Sequence, residues 1–260
     1  MSDELLYEVR DGVGTITFNR PEARNALTFA MYERVREICA TVPTDGSVKV
    51  IVMTGAGDRA FAAGTDIGQF RAFSKPEDAI AYEDRIEGVL DAIERCPVPT
   101  IAAIAGACTG GGASIALSCD LRIATRTAKF GYPVARTLGN CLSVANYARL
   151  TAVFGPARVK ELVFTAKLME ADAGERAGLY NEVVEDHGTL MQRTQELAQL
   201  IAGHAPLTMR ATKEALRRIT TAGAERIEGN DLVLMCYMSE DFREGMEAFL
   251  AKRTPQWKGR

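Results

Sequence analysis

The chain has 260 residues, 47% of them hydrophobic and 25% charged, with a formal net charge of −3. That is enough apolar chain for a full core, and the composition is that of an ordinary globular protein. The mild acidity argues against nucleic acid as the main partner. The six cysteines (Cys39, Cys96, Cys108, Cys119, Cys141 and Cys236) show no C-x-x-C spacing. Most sit in apolar stretches and read as reduced core thiols. The opening Met1-Ser2-Asp3-Glu4 is acidic and no signal-like apolar run follows, so a cytoplasmic location and no membrane partner are expected.

Val13 to Phe18 alternates small or polar with apolar residues, the pattern of a strand, and Asn19-Arg20-Pro21 ends it. Thr28 reads as a helix cap, followed by Met31, Val35, Ile38 and Val42 at helical spacing. Val48 to Thr54 is β-branched and apolar, a second strand, and a Gly- and Ala-rich loop runs from Gly55 to Gly68. Ser74-Lys75-Pro76 starts a helix whose buried side comprises Ile80, Ile86, Val89, Leu90 and Ile93, and Pro97 and Pro99 close it.

Thr100 to Asp120 is the centre of the chain. A short apolar strand, Ile101 to Ile104, breaks into Gly106-Ala107-Cys108-Thr109 and the triplet Gly110-Gly111-Gly112. A buried helix follows. The first N–H groups of a helix have no internal acceptor, and the helix dipole places partial positive charge there. Glycine leaves that backbone bare. The segment can therefore meet an anion, although close packing of helix on strand would also require the glycines. A phosphate loop does not fit, because no Gly-Lys-Ser/Thr follows.

Leu121 to Thr125 is another strand. From Ser143 helix dominates: one segment starts at Pro156 with Val159, Leu162 and Val163 inward. Val183-Val184 is a last short strand. Helices are expected over Thr189 to Ile201, Pro206 to Thr220 and roughly Ala224 to Ala251. The strand–helix alternation of the first half predicts an α/β fold. A soft boundary near Gly203 divides a core (residues 1–202) from a C-terminal helical region (203–260).

Several motifs compete for the function. Gly55-Ala56-Gly57-Asp58-Arg59-Ala60 fits a loose dinucleotide fingerprint, but Gly64 interrupts the helix that should follow. His187 and His204 lie in late turns, away from any triad motif; a hydrolase built on Ser114 lacks an obvious base. No residues show metal-ligand spacing. The basic tail (Lys252, Arg253, Lys258, Arg260) reads as a solvated end.

Taken together, Asn19-Arg20-Pro21 with Asn25-Ala26-Leu27, Phe61-Ala62-Ala63-Gly64-Thr65-Asp66-Ile67, Gly110-Gly111-Gly112 with Cys119-Asp120, Phe130-Gly131 and Arg243 to Phe249 stand in order along the chain. With these segments the sequence resembles the enoyl-CoA hydratase/isomerase (crotonase) superfamily over nearly its whole length. The resemblance implies a spiral of ββα turns and C-terminal helices that hold a homotrimer or a dimer of trimers. It implies an acyl-CoA thioester as substrate, with coenzyme A entering as part of it and no separate cofactor or metal. The thioester oxygen would sit between the backbone N–H groups of Thr65 and Gly111, an arrangement that stabilises an enolate-like oxyanion. Ala63, Asp66, Ile67 and Gly68 would line the CoA pocket, with Ala23 and Arg24 near the nucleotide; for Asp66 a structural role capping the next turn is expected over a catalytic one. Lys252 and Lys258 are candidates to meet phosphate.

Hydratases of this family use two glutamates to position and deprotonate one water. Their positions here hold Ser114 and Val134, and neither can carry that proton. The usual Pro-Gly-x-Gly-Gly segment is replaced by Leu138 to Ser143. Tyr132, Arg136, Asn140, Cys141 and Ser143 are the polar groups of the rewritten region, with Tyr132 and Asn140 the expected substrate contacts. Three readings follow: a slow hydratase, an acyl-CoA enzyme of other chemistry such as decarboxylation or thioester hydrolysis, or an acyl-CoA-binding protein.

Overall fold

The computed structural model describes residues 4–72, 74–221, 235 and 239–260. Strands β1 (Leu5–Arg10) and β2 (Val13–Phe18) form an antiparallel hairpin, and β2 pairs in parallel with β3 (Val50–Gly55). Helix α1 (Phe29–Thr41) joins them, and its cap is Thr28, whose Oγ1 accepts the Met31 N–H. From β3 the chain repeats one unit. A strand enters a large sheet, a short strand enters a small one, and a helix returns. β3, β4 (Ala60–Ala62) and α2 (Pro76–Glu94) make one turn. β5 (Thr100–Ile104), β6 (Ala107–Thr109) and α3 (Gly111–Ser118) make the next, and β7 (Leu121–Thr125), β8 (Lys129–Gly131) and α4 (Val144–Thr165) the third.

The large sheet has the order β1-β2-β3-β5-β7-β10, the last being Glu182–Val184, and the small sheet β4-β6-β8-β9, the last being Met169–Glu170. This is the expected ββα spiral. Parallel strands covered on both faces must be apolar throughout, and β3 and β5 are buried at every residue. Their alternate residues face two cores. Ile51, Met53, Ala102 and Ile104 join the main core with α1, α2 and α3. Val50, Val52, Ile101 and Ala103 instead meet Leu190, Ala198 and Ile201 of α6 (His187–Ala202).

Short strands β4, β6, β8 and β9, together with α5 (Ala171–Arg176), have two to six residues each and carry no readable period. β1 also went unassigned, because four of its six residues are exposed. Ile80, expected on the buried side of α2, is 63% exposed. The packed face of that helix is confined to its second half, Ile86, Val89, Leu90 and Ile93. The helix expected at Pro156 is the second half of α4, set off by a break at Gly155 with φ 70°.

Helix α7 (Pro206–Thr221) is held to the core where Lys213 Nζ meets Asp120 Oδ2 at 2.7 Å. Of the helix expected over Ala224 to Ala251, Glu240–Ala251 is observed as α8, and most of the preceding stretch lies outside the described residues, as does Cys236. The free thiols Cys39, Cys96, Cys108 and Cys119 are buried and Cys141 is exposed. Among the described residues no helix is long and apolar enough to cross a membrane.

Buried Arg122 fixes the central helix. Its Nη1 donates to the carbonyls of Ala116, Leu117 and Cys119 at the end of α3, and its Nε to Leu179 O at 2.6 Å. A cation at a helix C-terminus satisfies orphan carbonyls and complements the dipole. Arg122→Ala is expected to lower the denaturation midpoint, at about 1–3 kcal/mol for each buried carbonyl left unpaired. Urea unfolding followed by circular dichroism checks it.

Candidate active site

The site forms where two glycine loops meet. After β4 the chain turns through Gly64 with φ 104°, and after β6 through Gly110 with φ 54°, both in the left-handed region that favours glycine. A Cβ built on Gly110 would lie 3.5 Å from Gly64 Cα, so the two backbones nearly touch. Leu27 clamps the first loop: its N–H donates to Gly64 O at 2.8 Å and its carbonyl accepts the Asp66 N–H at 2.9 Å. The Gly110 N–H holds the second loop to Gly131 O at 3.0 Å. Thr65 and Gly111 follow the two contacting glycines, and their main-chain N–H groups have no acceptor among the described residues.

Two tyrosine hydroxyls lock Thr65 in place. Its Oγ1 lies 2.9 Å from Tyr32 Oη and 2.8 Å from Tyr82 Oη. Burial pushes both phenols above their ordinary pKa, so they remain neutral hydroxyls. Phe70 packs edge-on against Tyr82 with centroids 4.9 Å apart. Gly111 is obligatory for a second reason: a Cβ there would sit 1.8 Å from Tyr32 Oη. Gly112 is held as tightly, its Cβ position being 2.3 Å from Ala62 O.

These elements surround a cavity of about 190 Å³. Of the residues expected at the site, Ala63, Thr65, Ile67, Gly111, Val134 and Asn140 line it, as does Cys141 from the rewritten loop. Phe70, Ile86 and Leu142 make it largely apolar, and Tyr82, Glu83 and Asn146 are its polar additions.

Other expected members are placed elsewhere. Ser114 and Tyr132 lie buried beside the cavity rather than in its wall; Ser114 Oγ bonds Gly110 O at 3.3 Å and Tyr132 Oη at 3.2 Å. Tyr132, expected as a substrate contact, is 0% exposed because its ring is part of the main core, stacked edge-on against Phe130. Asp66 points away, with Oδ2 2.9 Å from Arg20 Nη1 and Oδ1 accepting the Gly68 N–H at 2.9 Å. This is the expected turn-capping bond, with an ion pair added. Arg24 opens on a second hollow with Arg59, Lys129 and His187, and Ala23 ends the short 3₁₀ turn before it. Arg136 is exposed, and Ser143 caps α4 by accepting the Asn146 N–H. Lys258 approaches Glu240 at 3.6 Å, and Lys252 is exposed at the end of α8.

Tyr32, Tyr82, Glu83 and Asn146 were missed from the sequence. Tyr32 hides in an apolar helix face beside Met31 and Val35. Tyr82 and Glu83 looked like ordinary polar positions, although Tyr82 stands four residues before Ile86, on the same helical face.

The sequence and the fold match known proteins closely. A family model described as Enoyl-CoA hydratase/isomerase matches residues 8–260. The chain belongs to the enoyl-CoA hydratase/isomerase family. It is 34% identical to the short-chain-enoyl-CoA hydratase of Clostridium acetobutylicum, over 96% of each chain. To the crotonyl-CoA hydratase of Syntrophomonas wolfei it is 32% identical, again over 96% of each. Among solved structures, an enoyl-CoA hydratase/carnithine racemase from Magnetospirillum magneticum superposes with TM-score 0.91 at 32% identity, covering 100% of this chain and 97% of that one. The enoyl-CoA hydratase from Bacillus anthracis gives 0.88 at 30%, covering 99% and 100%. Membership makes this an acyl-CoA thioester enzyme of that family.

Two outcomes test the geometry. Gly111→Ala should destabilise by about 1–3 kcal/mol through overpacking against the Tyr32 hydroxyl, and adding Tyr32→Phe should restore most of the melting temperature. The Asp66 carboxyl is held below its ordinary pKa, first by the Arg20 hydrogen bond and then by the Gly68 N–H. Its folded pKa lies below the unfolded value, so its stabilisation is present above the unfolded carboxylate pKa and is lost as pH falls through the folded one. Asp66→Asn should flatten stability against pH in that acid window, measured by thermal melts.

Proposed function

We propose that the Thr65 and Gly111 main-chain N–H groups form an oxyanion hole that holds the thioester oxygen of an acyl-CoA and stabilises an enolate-like intermediate. The observation that carries this reading is the close approach of the Gly64 and Gly110 backbones, which sets two acceptor-free N–H groups at the mouth of one apolar cavity. Donors fixed before reaction meet the charge as it develops, and one is typically worth about 2.7–4 kcal/mol of barrier. Gly111 opens α3, so the positive end of that helix adds to the effect.

The relatives compared above are named as hydratases, but the resemblance places the family's two glutamates at Ser114 and Val134. Ser114 is committed to Tyr132 and Gly110, and Val134 is apolar. Hydration by the two-glutamate route is therefore absent, and the chain is an enolate-forming lyase or isomerase of acyl-CoA metabolism. Decarboxylation or thioester hydrolysis over the same oxyanion hole, or acyl-CoA binding without turnover, are the competing outcomes of a thioester screen. The nucleotide end of CoA would extend toward Ala23 and Arg24, with Lys252 and Lys258 as candidate phosphate contacts. By the same resemblance we propose a cytoplasmic homotrimer or dimer of trimers, with residues 203–260 as the assembly region on the 1–202 core.

Two measurements test this. Crotonyl-CoA hydration should run about 10²–10⁴-fold below that of a two-glutamate relative, the usual contribution of general acid–base groups; a rate equal to the relative's would reject the reading of Ser114 and Val134. In a Tyr32→Phe background, which makes room at position 111, Gly111→Pro removes the N–H and Gly111→Ala keeps it. Turnover of the acyl-CoA found by a mass-spectrometric screen should fall about 10²–10³-fold for proline relative to alanine. Equal rates would sink the oxyanion hole.

A further inference from the structure

Among the described residues, Glu83 is the one carboxylate lining the cavity that holds Thr65 and Gly111. Its surroundings explain why it is free to react. One helical turn later Glu87 is bound to Arg149 Nη2 at 2.5 Å, and Glu94 meets Arg149 Nε at 2.6 Å. Arg149 is thus satisfied twice over, and no ion pair or hydrogen bond to Glu83 is present among the described residues. Glu83 precedes Glu87 by one turn on α2, and Asn146 precedes Arg149 by nearly one turn on α4, so both stand beside the same ion triad and both line the cavity. Asn146 is 3% exposed and its Oδ1 has no hydrogen-bond partner. An unpaired carboxylate at the wall of an apolar cavity, and an unsatisfied amide oxygen buried on α4, each cost stability and call for a functional explanation. Burial raises the Glu83 pKa, and the Glu87 charge raises it further. The Glu83 charge in turn raises both phenols that hold Thr65, which puts the carboxylate near the oxyanion donors.

We propose that Glu83 is the catalytic acid–base group of this site, taking the place of the absent glutamates from a different helix. The inference rests on the thioester reading above. Glu83 takes a proton from the carbon next to the thioester carbonyl; the C–H electron pair becomes the new C=C bond, and the carbonyl π pair moves onto the oxygen held by Thr65 and Gly111. Returning the proton to the same carbon gives exchange; returning it to the far end of a neighbouring double bond gives isomerisation. Neither outcome needs a further reactant. Between the two steps the proton stays on the Glu83 carboxyl, which then serves as the acid.

The test is deuterium incorporation next to the carbonyl of butyryl-CoA in heavy water, read by mass spectrometry, with butyryl-CoA binding measured by calorimetry. The wild-type chain should bind and exchange. Glu83→Gln should bind within about threefold and exchange about 10²-fold or more slowly. Glu83→Asp, a second variant that keeps the charge one methylene short, should exchange at an intermediate rate. Exchange in Glu83→Gln within threefold of wild type, or wild-type binding without exchange, overturns the role of Glu83 and leaves the thioester reading standing. No binding by the wild-type chain overturns the thioester reading and this proposal together.

Discussion

The site depends on one steric constraint: two chain segments must pass within van der Waals contact of each other's main chain. Gly64 and Gly110 permit that contact because both adopt a left-handed φ, which turns each loop toward the other. A Cβ at either position would meet the other loop at ordinary contact distance, 3.4–3.5 Å, so it is the left-handed φ that a residue with a side chain would resist. The tolerance is narrow, since the position next to each glycine is also confined, Thr65 by two tyrosine hydroxyls and Gly111 by one of them.

That contact is only as rigid as its supports. α3 is short, eight residues, and could not hold a fixed position by itself. It is fixed at its C-terminal end by the buried Arg122 guanidinium and at its N-terminal end by Gly112 against Ala62. The first loop has a different anchor, the Leu27 bridge, backed by the Arg20–Asp66 ion pair. Each loop is therefore tied to its own part of the spiral. The small sheet brings them together, because β4 and β6, which lead into the two loops, are hydrogen-bonded neighbours.

The chemistry around this frame is divided by burial. Ser114 and Tyr132 satisfy one another inside the core and are closed to a ligand. Glu83 lines the cavity with no ion pair or hydrogen bond among the described residues, and the Asn146 amide oxygen is buried without a partner. The polar residues most conspicuous in the rewritten loop, Arg136 and Ser143, lie outside the cavity wall, one in solvent and one capping a helix.

The sequence by itself determined the large-sheet strands from β2 on, the major helices and the two glycine loops. Apolar period and glycine placement are local properties, and each reads from a few neighbouring residues. That positions 114 and 134 hold a serine and a valine, neither of them a general acid or base at neutral pH, is likewise read from the sequence alone. Only the tertiary structure showed that Tyr132 is core, that Ile80 is exposed and that Asp66 turns toward Arg20. It alone brought Tyr32 from α1 and Glu83 from α2 to the same crevice as Gly111. Those residues are separated by tens of positions along the chain, and their meeting is set by how successive turns of the spiral stack, a long-range relation that no local pattern encodes.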